Sequence, residues 1–215
     1  MTRAAPRHEA GRPAPFRRRT AGGRGRIAVL VLALLLGAGA AAAVAGLGPL
    51  GRAVRELTLP LRHEDVIRQQ AADKHLDPAL VAGVIYEESK FRNQTSHAGA
   101  RGLMQITPET ARFIARRSGA TRFSEADLSN PQINIAYGAY FLRYLVDRYG
   151  GNQTLAIAAY NAGQANVDKW VRRAGGPERF DTVRDIPFPE TRAYVRGVFE
   201  RQRDYRAKYA RELGY

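Results

Sequence analysis

Two neighbouring carboxylates, Glu87 and Glu88, sit in the stretch from Leu80 to Ala111, LVAGVIYEESKFRNQTSHAGARGLMQITPETA. Asp77-Pro78 opens that stretch as a helix start, because Asp suits the N-cap and Pro the first helical position. At about 100° per residue, Leu80, Val81, Val84, Ile85 and Phe91 share one apolar stripe. Glu88 lies roughly 20° from the centre of the stripe and Glu87 roughly 80° off it on the same wheel. One acid is therefore expected to face apolar surroundings and the other to reach water. Desolvation disfavours a charged carboxyl and raises its pKa. An acid still protonated near neutral pH is what general-acid cleavage of a glycosidic bond requires. The competing reading pairs Glu88 with a core Arg, or rotates the helix so that Glu88 is solvated.

The residues that follow weigh on that choice. Glu88-Ser89-Lys90-Phe91 precedes a short polar loop and then Ser96-His97-Ala98-Gly99-Ala100-Arg101-Gly102-Leu103-Met104-Gln105, with Thr107-Pro108 starting another helix. Downstream stand Asn134-Ile135 with Gly138 and Tyr140, then Ala159-Tyr160-Asn161-Ala162-Gly163, then Glu190-Thr191 with Tyr194-Val195. This ordered set resembles the lytic transglycosylases of the soluble type, whose fold is similar to that of goose-type lysozymes. The resemblance implies cleavage of the β-1,4 bond between N-acetylmuramic acid and N-acetylglucosamine in peptidoglycan. It implies one Glu acting first as acid and then as base, with the muramyl C6 hydroxyl closing onto C1 to give a 1,6-anhydro product.

Carried over position by position, the resemblance makes Glu88 the catalytic residue. Ser96 becomes a loop serine able to donate to the sugar's acetamido group or to the carboxyl. Met104 and Gln105 become groove residues, with core packing the alternative for Met104. Tyr160 would contact the catalytic carboxyl, unless it is an ordinary core Tyr. Asn161 contacts sugar or caps its helix, and Tyr194 closes the cleft from the last helix. His97 stands where many relatives have Pro and receives no metal role. No cofactor is implied. Asp127, Asp147 and Asp168 read as capping or solvated residues. A lysozyme-like hydrolase and a non-catalytic wall-binding module remain as alternatives.

The elements that must position these residues read as an all-α domain from 62 to 215, a compact lysozyme-like set of helices around one core. The spacing predicts helices over His63–Leu76, Pro78–Lys90, Pro108–Arg117, from Pro131 to the Gly150-Gly151 stop, Gln153–Asn161, Ala165–Arg173 and Pro189–Leu213. Gly175 to Pro189 is a long connection, either a flap or a plain linker. Residues 52–61 read as a linker to the domain.

The formal net charge is +14, and residues 1–26 carry eight Arg against one acid, Glu9. Such a segment cannot bury apolar surface and is expected to be a disordered cytoplasmic tail. Residues 27–51 carry no charge and exceed the roughly 20 apolar residues that cross a bilayer. With the basic flank on the cytoplasmic side, they read as a single-pass anchor that places the domain outside the cytoplasm. A cleaved signal after Ala43-Val44-Ala45, giving a secreted or periplasmic protein, is the alternative. The expected partners are peptidoglycan strands, and the membrane through residues 27–51. No nucleic-acid motif accompanies the basic charge, and the sequence names no partner protein. With no cysteine, disulfides, thiolate metal sites and a Cys nucleophile are excluded.

Overall fold

The computed structural model describes residues 31–34, 36–37, 53, 56–119 and 123–215. The expected basic tail and most of the uncharged run 27–51 lie outside these residues. Among the described residues no helix is long and apolar enough to cross a membrane. The folded unit spans Arg55–Tyr215. Its helices are α1 (Glu64–Asp73), α2 (Pro78–Ser89), α3 (Pro108–Ser118), α4 (Pro131–Arg148), α5 (Gln153–Ala162), α6 (Gln164–Ala174), α7 (Thr182–Asp185), α8 (Pro189–Lys208) and α9 (Ala210–Leu213). Short 3₁₀ turns at Glu125–Ser129 and Pro177–Arg179 join them. The described residues contain no strand, only isolated bridges from Arg101 to Thr95 and to Ile106.

Helix α2 is the axis of the unit, and its most extensive neighbour is α8. The Asp77 carboxylate accepts from the Ala79 N–H at 2.9 Å, as an N-cap should. The same carboxylate receives Gln202, Arg206 and the Tyr215 hydroxyl. Burial alone would raise the Asp77 pKa, but these donors outweigh it and hold the group below its ordinary value. Two turns further on, Gly83 lets the backbones touch, since a Cβ there would lie 2.9 Å from the Val198 carbonyl oxygen. A capped start and a side-chain-free contact thus fix both the axial position and the spacing of α2.

The single apolar stripe expected on α2 is not what forms. Every residue from Ala79 to Ile85 is buried, because α1 and α8 both pack on this helix. A helix covered on several sides has no polar face to repeat. Phe91 is not on the helix either. The chain leaves α2 through Lys90 and Phe91, both left-handed at φ 52° and 62°, a conformation costly for a bulky L residue. Phe91 is repaid by burial against Tyr205, with ring centroids 5.9 Å apart.

Three connections also differ from the pattern reading. Residues 59–61 are packed as part of the unit, while 56–58 stay exposed: Leu59 is 2% exposed, and Tyr205 and Tyr209 donate to the Pro60 and Leu59 carbonyls at 2.6 and 2.7 Å. The last helix stops at Lys208, and Tyr209 (φ −132°) separates it from α9. The connection from Gly175 to Pro189 holds α7 and a fully buried Ile186.

Candidate active site

Glu88 lies in the last turn of α2, where the buried helix emerges. Tyr194 of α8 donates its hydroxyl proton to Glu88 Oε1 at 2.6 Å. Burial pushes the Glu88 pKa up from 4.5 to about 7; the Tyr194 hydrogen bond pulls it down, and the Glu87 charge adds to the rise. At neutral pH both protonation states are therefore populated. Chemically, that is a carboxyl able to give a proton and take one back.

Glu87 does not simply face water. Its carboxyl rests on the Cα of Gly197, where a Cβ would come within 2.8 Å of Oε1. Arg201 Nε stands 3.9 Å from the same oxygen. Burial raises the Glu87 pKa, while Arg201 and Lys90 oppose the rise. Two successive turns of α8 thus serve both acids: Tyr194 meets Glu88, and Gly197 and Arg201 meet Glu87.

The loop from Arg92 to Ile106 stands beside this turn and is held by polar groups. Ser89, next to the acid, donates to the Leu103 carbonyl at 2.7 Å and shares that proton with Ile85 at 3.1 Å. Asn134 of α4 is fully buried and uses all of its amide: Oδ1 accepts from Met104 N–H at 2.8 Å, and Nδ2 donates to the Arg101 and Leu128 carbonyls at 2.8 and 3.0 Å. Gly102, at φ 79°, lies directly against the Asn134 amide, where no side chain would fit.

The remaining expected residues fall into two groups. The Met104 side chain does not line a groove. It is fully buried against Gly138, whose missing Cβ makes the room. The Tyr160 hydroxyl donates to the Met104 carbonyl at 2.9 Å, so the donor on the Glu88 carboxyl is Tyr194 and not Tyr160. Gln105 turns its Nε2 back onto the Gly102 and Gln94 carbonyls at 2.8 and 3.0 Å. Ser96 Oγ accepts from the Ala100 N–H at 3.1 Å and closes the tight turn 96–100. Asn161 is exposed, and its Oδ1 accepts from Thr191 Oγ1 at 2.8 Å. Asn134, Thr191 and Gly197 carry parts of this arrangement that no periodicity announced. Asn134 and Thr191 stood inside recognisable motifs, but their partners are set only by the fold.

Residues 65–182 match the family described as Transglycosylase SLT domain. The soluble lytic murein transglycosylase of Escherichia coli (strain K12) is 33% identical over 156 residues, covering 70% of this chain and 24% of that protein. Among solved structures, an inactive Glu-to-Gln mutant of lytic transglycosylase Slt from Pseudomonas aeruginosa superposes with a TM-score of 0.65 at 30% identity, covering 73% of this chain and 26% of the other. The 70 kDa soluble lytic transglycosylase SLT70 of E. coli gives 0.68 at 31% identity, over 74% and 26%. The chain thus spans about a quarter of the length of these relatives. With the matched segment covering more than half of the chain and containing α2, the loop and α4 to α6, the chain belongs to the transglycosylase SLT domain family.

Proposed function

We propose that this protein is a peptidoglycan lytic transglycosylase with Glu88 as its single acid and base. The observation that carries the reading is one carboxyl poised near neutrality by burial while a tyrosine hydroxyl holds one of its oxygens. Protonated, Glu88 gives its proton to the oxygen bridging N-acetylmuramic acid and N-acetylglucosamine, and that bond breaks. Ionised, it takes the proton of the muramyl C6 hydroxyl, whose oxygen bonds to C1 and closes the 1,6-anhydro ring. Atoms balance without water, and Glu88 ends as it began. The Tyr194 hydrogen bond favours the ionised form and so assists the first half, in which Glu88 gives up its proton.

A two-carboxylate glycosidase places its second acid about 5–10 Å from the first. Here Glu87 is the acid whose charge registers on Glu88, and it is engaged with Arg201 and Gly197. A single-acid scheme fits that arrangement. Substrate contacts are assigned to the half-buried Ser96, whose hydroxyl proton points to no acceptor among the described hydrogen bonds, and to Gln105, Tyr160, Asn161 and Tyr194. The relatives support the substrate class: murein is named in the E. coli protein's description, and a Glu-to-Gln change accompanies inactivity in the Pseudomonas protein.

The test is mass spectrometry of products released from purified sacculi. Glu88→Gln is expected to abolish release while the fold and glycan binding survive. Anhydro products are expected rather than products heavier by one water. Release by the Gln variant at close to the parent's rate would sink the reading, and hydrolytic products would turn it into a lysozyme-like one. Residues 27–51 are assigned as an anchor that leaves the domain outside the cytoplasm. A mature protein starting near Gly46 on N-terminal sequencing would make them a cleaved signal.

A further inference from the structure

We propose an oxyanion-binding site of the phosphate class on the side of α2 away from Glu88. A cavity of about 490 Å³ is lined there by Arg62, His63, Tyr86, Lys90, Arg92 and Asn93, with Glu56, Leu57 and Pro60 on its rim. Tyr86 precedes Glu88 by two residues, about 200° around the helix, so this cavity and the catalytic carboxyl occupy opposite faces of the same turn.

Three observations carry the proposal, and the first of them points to an anion. The first is charge: four residues of the lining carry cationic or protonatable groups, whereas Glu56 is the one acid among them and lies 3.5 Å from Arg62. Arg62 and Arg92 are both exposed and able to present guanidinium forks to an oxyanion. The second is backbone: of the five left-handed non-glycine residues among the described residues, His63, Lys90 and Phe91 line this cavity. Conformations of that kind persist where surrounding structure imposes them, and they gather at functional sites. The third is rigidity. The rim is fastened by tyrosine hydroxyls on the Thr58, Leu59 and Pro60 carbonyls, and Asn93 is tied to the Ser129 carbonyl at 2.7 Å. The site is preorganised and needs little ordering to bind.

The shared chemistry is a phosphate group, available either free or on the headgroup of an anionic lipid. The experiment uses the full chain and follows backbone amide NMR shifts of residues 62–63 and 90–93 during two titrations. One uses inorganic phosphate and the other glycerophosphoglycerol, the deacylated headgroup of an anionic lipid, each against sodium chloride of equal ionic strength. Saturable shifts at these amides are expected, with binding at least tenfold weaker in the double variant Arg62→Gln/Arg92→Gln. Tighter binding of glycerophosphoglycerol identifies the lipid as the source, and tighter inorganic phosphate identifies the free ion. The double variant is expected to melt at the parent's temperature without phosphate; if it does not, Lys90→Gln takes its place. Shifts that chloride reproduces, or that the variant leaves unchanged, overturn the proposal.

Discussion

Glu88 stands between two regions built on opposite principles. Behind it, α2 and α8 are joined by bulk: a buried helix, and a glycine whose missing Cβ lets the two backbones come close. Beside it, the loop 92–106 has little regular structure and is held by Ser89, Asn134, Tyr160 and Gln105 through hydrogen bonds to its carbonyls and N–H groups. The helix pair sets how dry and how acidic the carboxyl is. The loop sets the shape of what stands beside it. Perturbing one region should therefore change titration, and perturbing the other should change stability and loop order.

The largest expected effect tests the shared centre. Glu88→Gln should lower muropeptide release by about 10²–10⁴-fold, the usual worth of a positioned general acid and base. Next comes the loop clamp. Asn134→Ala removes three hydrogen bonds from a fully buried position and strips the Met104 N–H and the Leu128 carbonyl of the partner they have there, while the Arg101 carbonyl keeps the Ile106 N–H. Denaturant titration should show a loss of roughly 3 kcal/mol or more. Hydrogen exchange at residues 101–106 should quicken more than in α2. Equal quickening in both would mean that the two regions are one cooperative unit.

Titration of Glu88 also bears on folding. With a folded pKa of about 7 against an ordinary 4.5, the folded protein keeps a proton that the unfolded chain releases between those values. The associated stability is fully present below pH 4.5 and is lost as pH rises to about 7, by up to ~3 kcal/mol. Glu88→Gln should abolish that slope and melt higher than the parent at pH 8. A variant with the same slope as the parent would place the titrating group elsewhere.

Helix contacts separate by geometry. At Gly83 an added methyl meets the Val198 backbone, which cannot move alone, so Gly83→Ala should cost about 1–3 kcal/mol. At Gly197 it meets the flexible end of Glu87. Gly197→Ala should therefore cost less and register instead as a displaced Glu87 in carboxyl-carbon NMR titration.

The same contrast explains what the sequence could reveal. Helix existence, the Asp77, Asn130 and Asn152 caps and the Pro starts follow from local chemistry and stand in the structure. The stripe assigned to α2 failed because central burial erases periodicity. Placing Phe91 on that stripe failed because the chain turns left-handed at Lys90, with no glycine or proline to announce it. Tyr160 and Tyr194 could not be sorted by sequence, since which hydroxyl reaches Glu88 depends on how α8 crosses α2. Asn134 was visible as a motif residue, but its three partners lie up to 33 positions away.

The smallest predicted effect discriminates most sharply. Tyr194→Phe keeps the ring between α2 and α8 but deletes the proton donated to Glu88 Oε1. That hydrogen bond favours the ionised carboxyl, so its loss should raise the Glu88 pKa further. The limb of the pH–rate profile that reports the ionised form should then move to higher pH by about one unit. Tyr160→Phe is the control. Its hydroxyl serves the Met104 carbonyl, so it should loosen the loop without moving that limb. If both substitutions shift the profile alike, the loop takes part in tuning the acid. If only Tyr194→Phe does, control of acidity belongs to the helix pair alone.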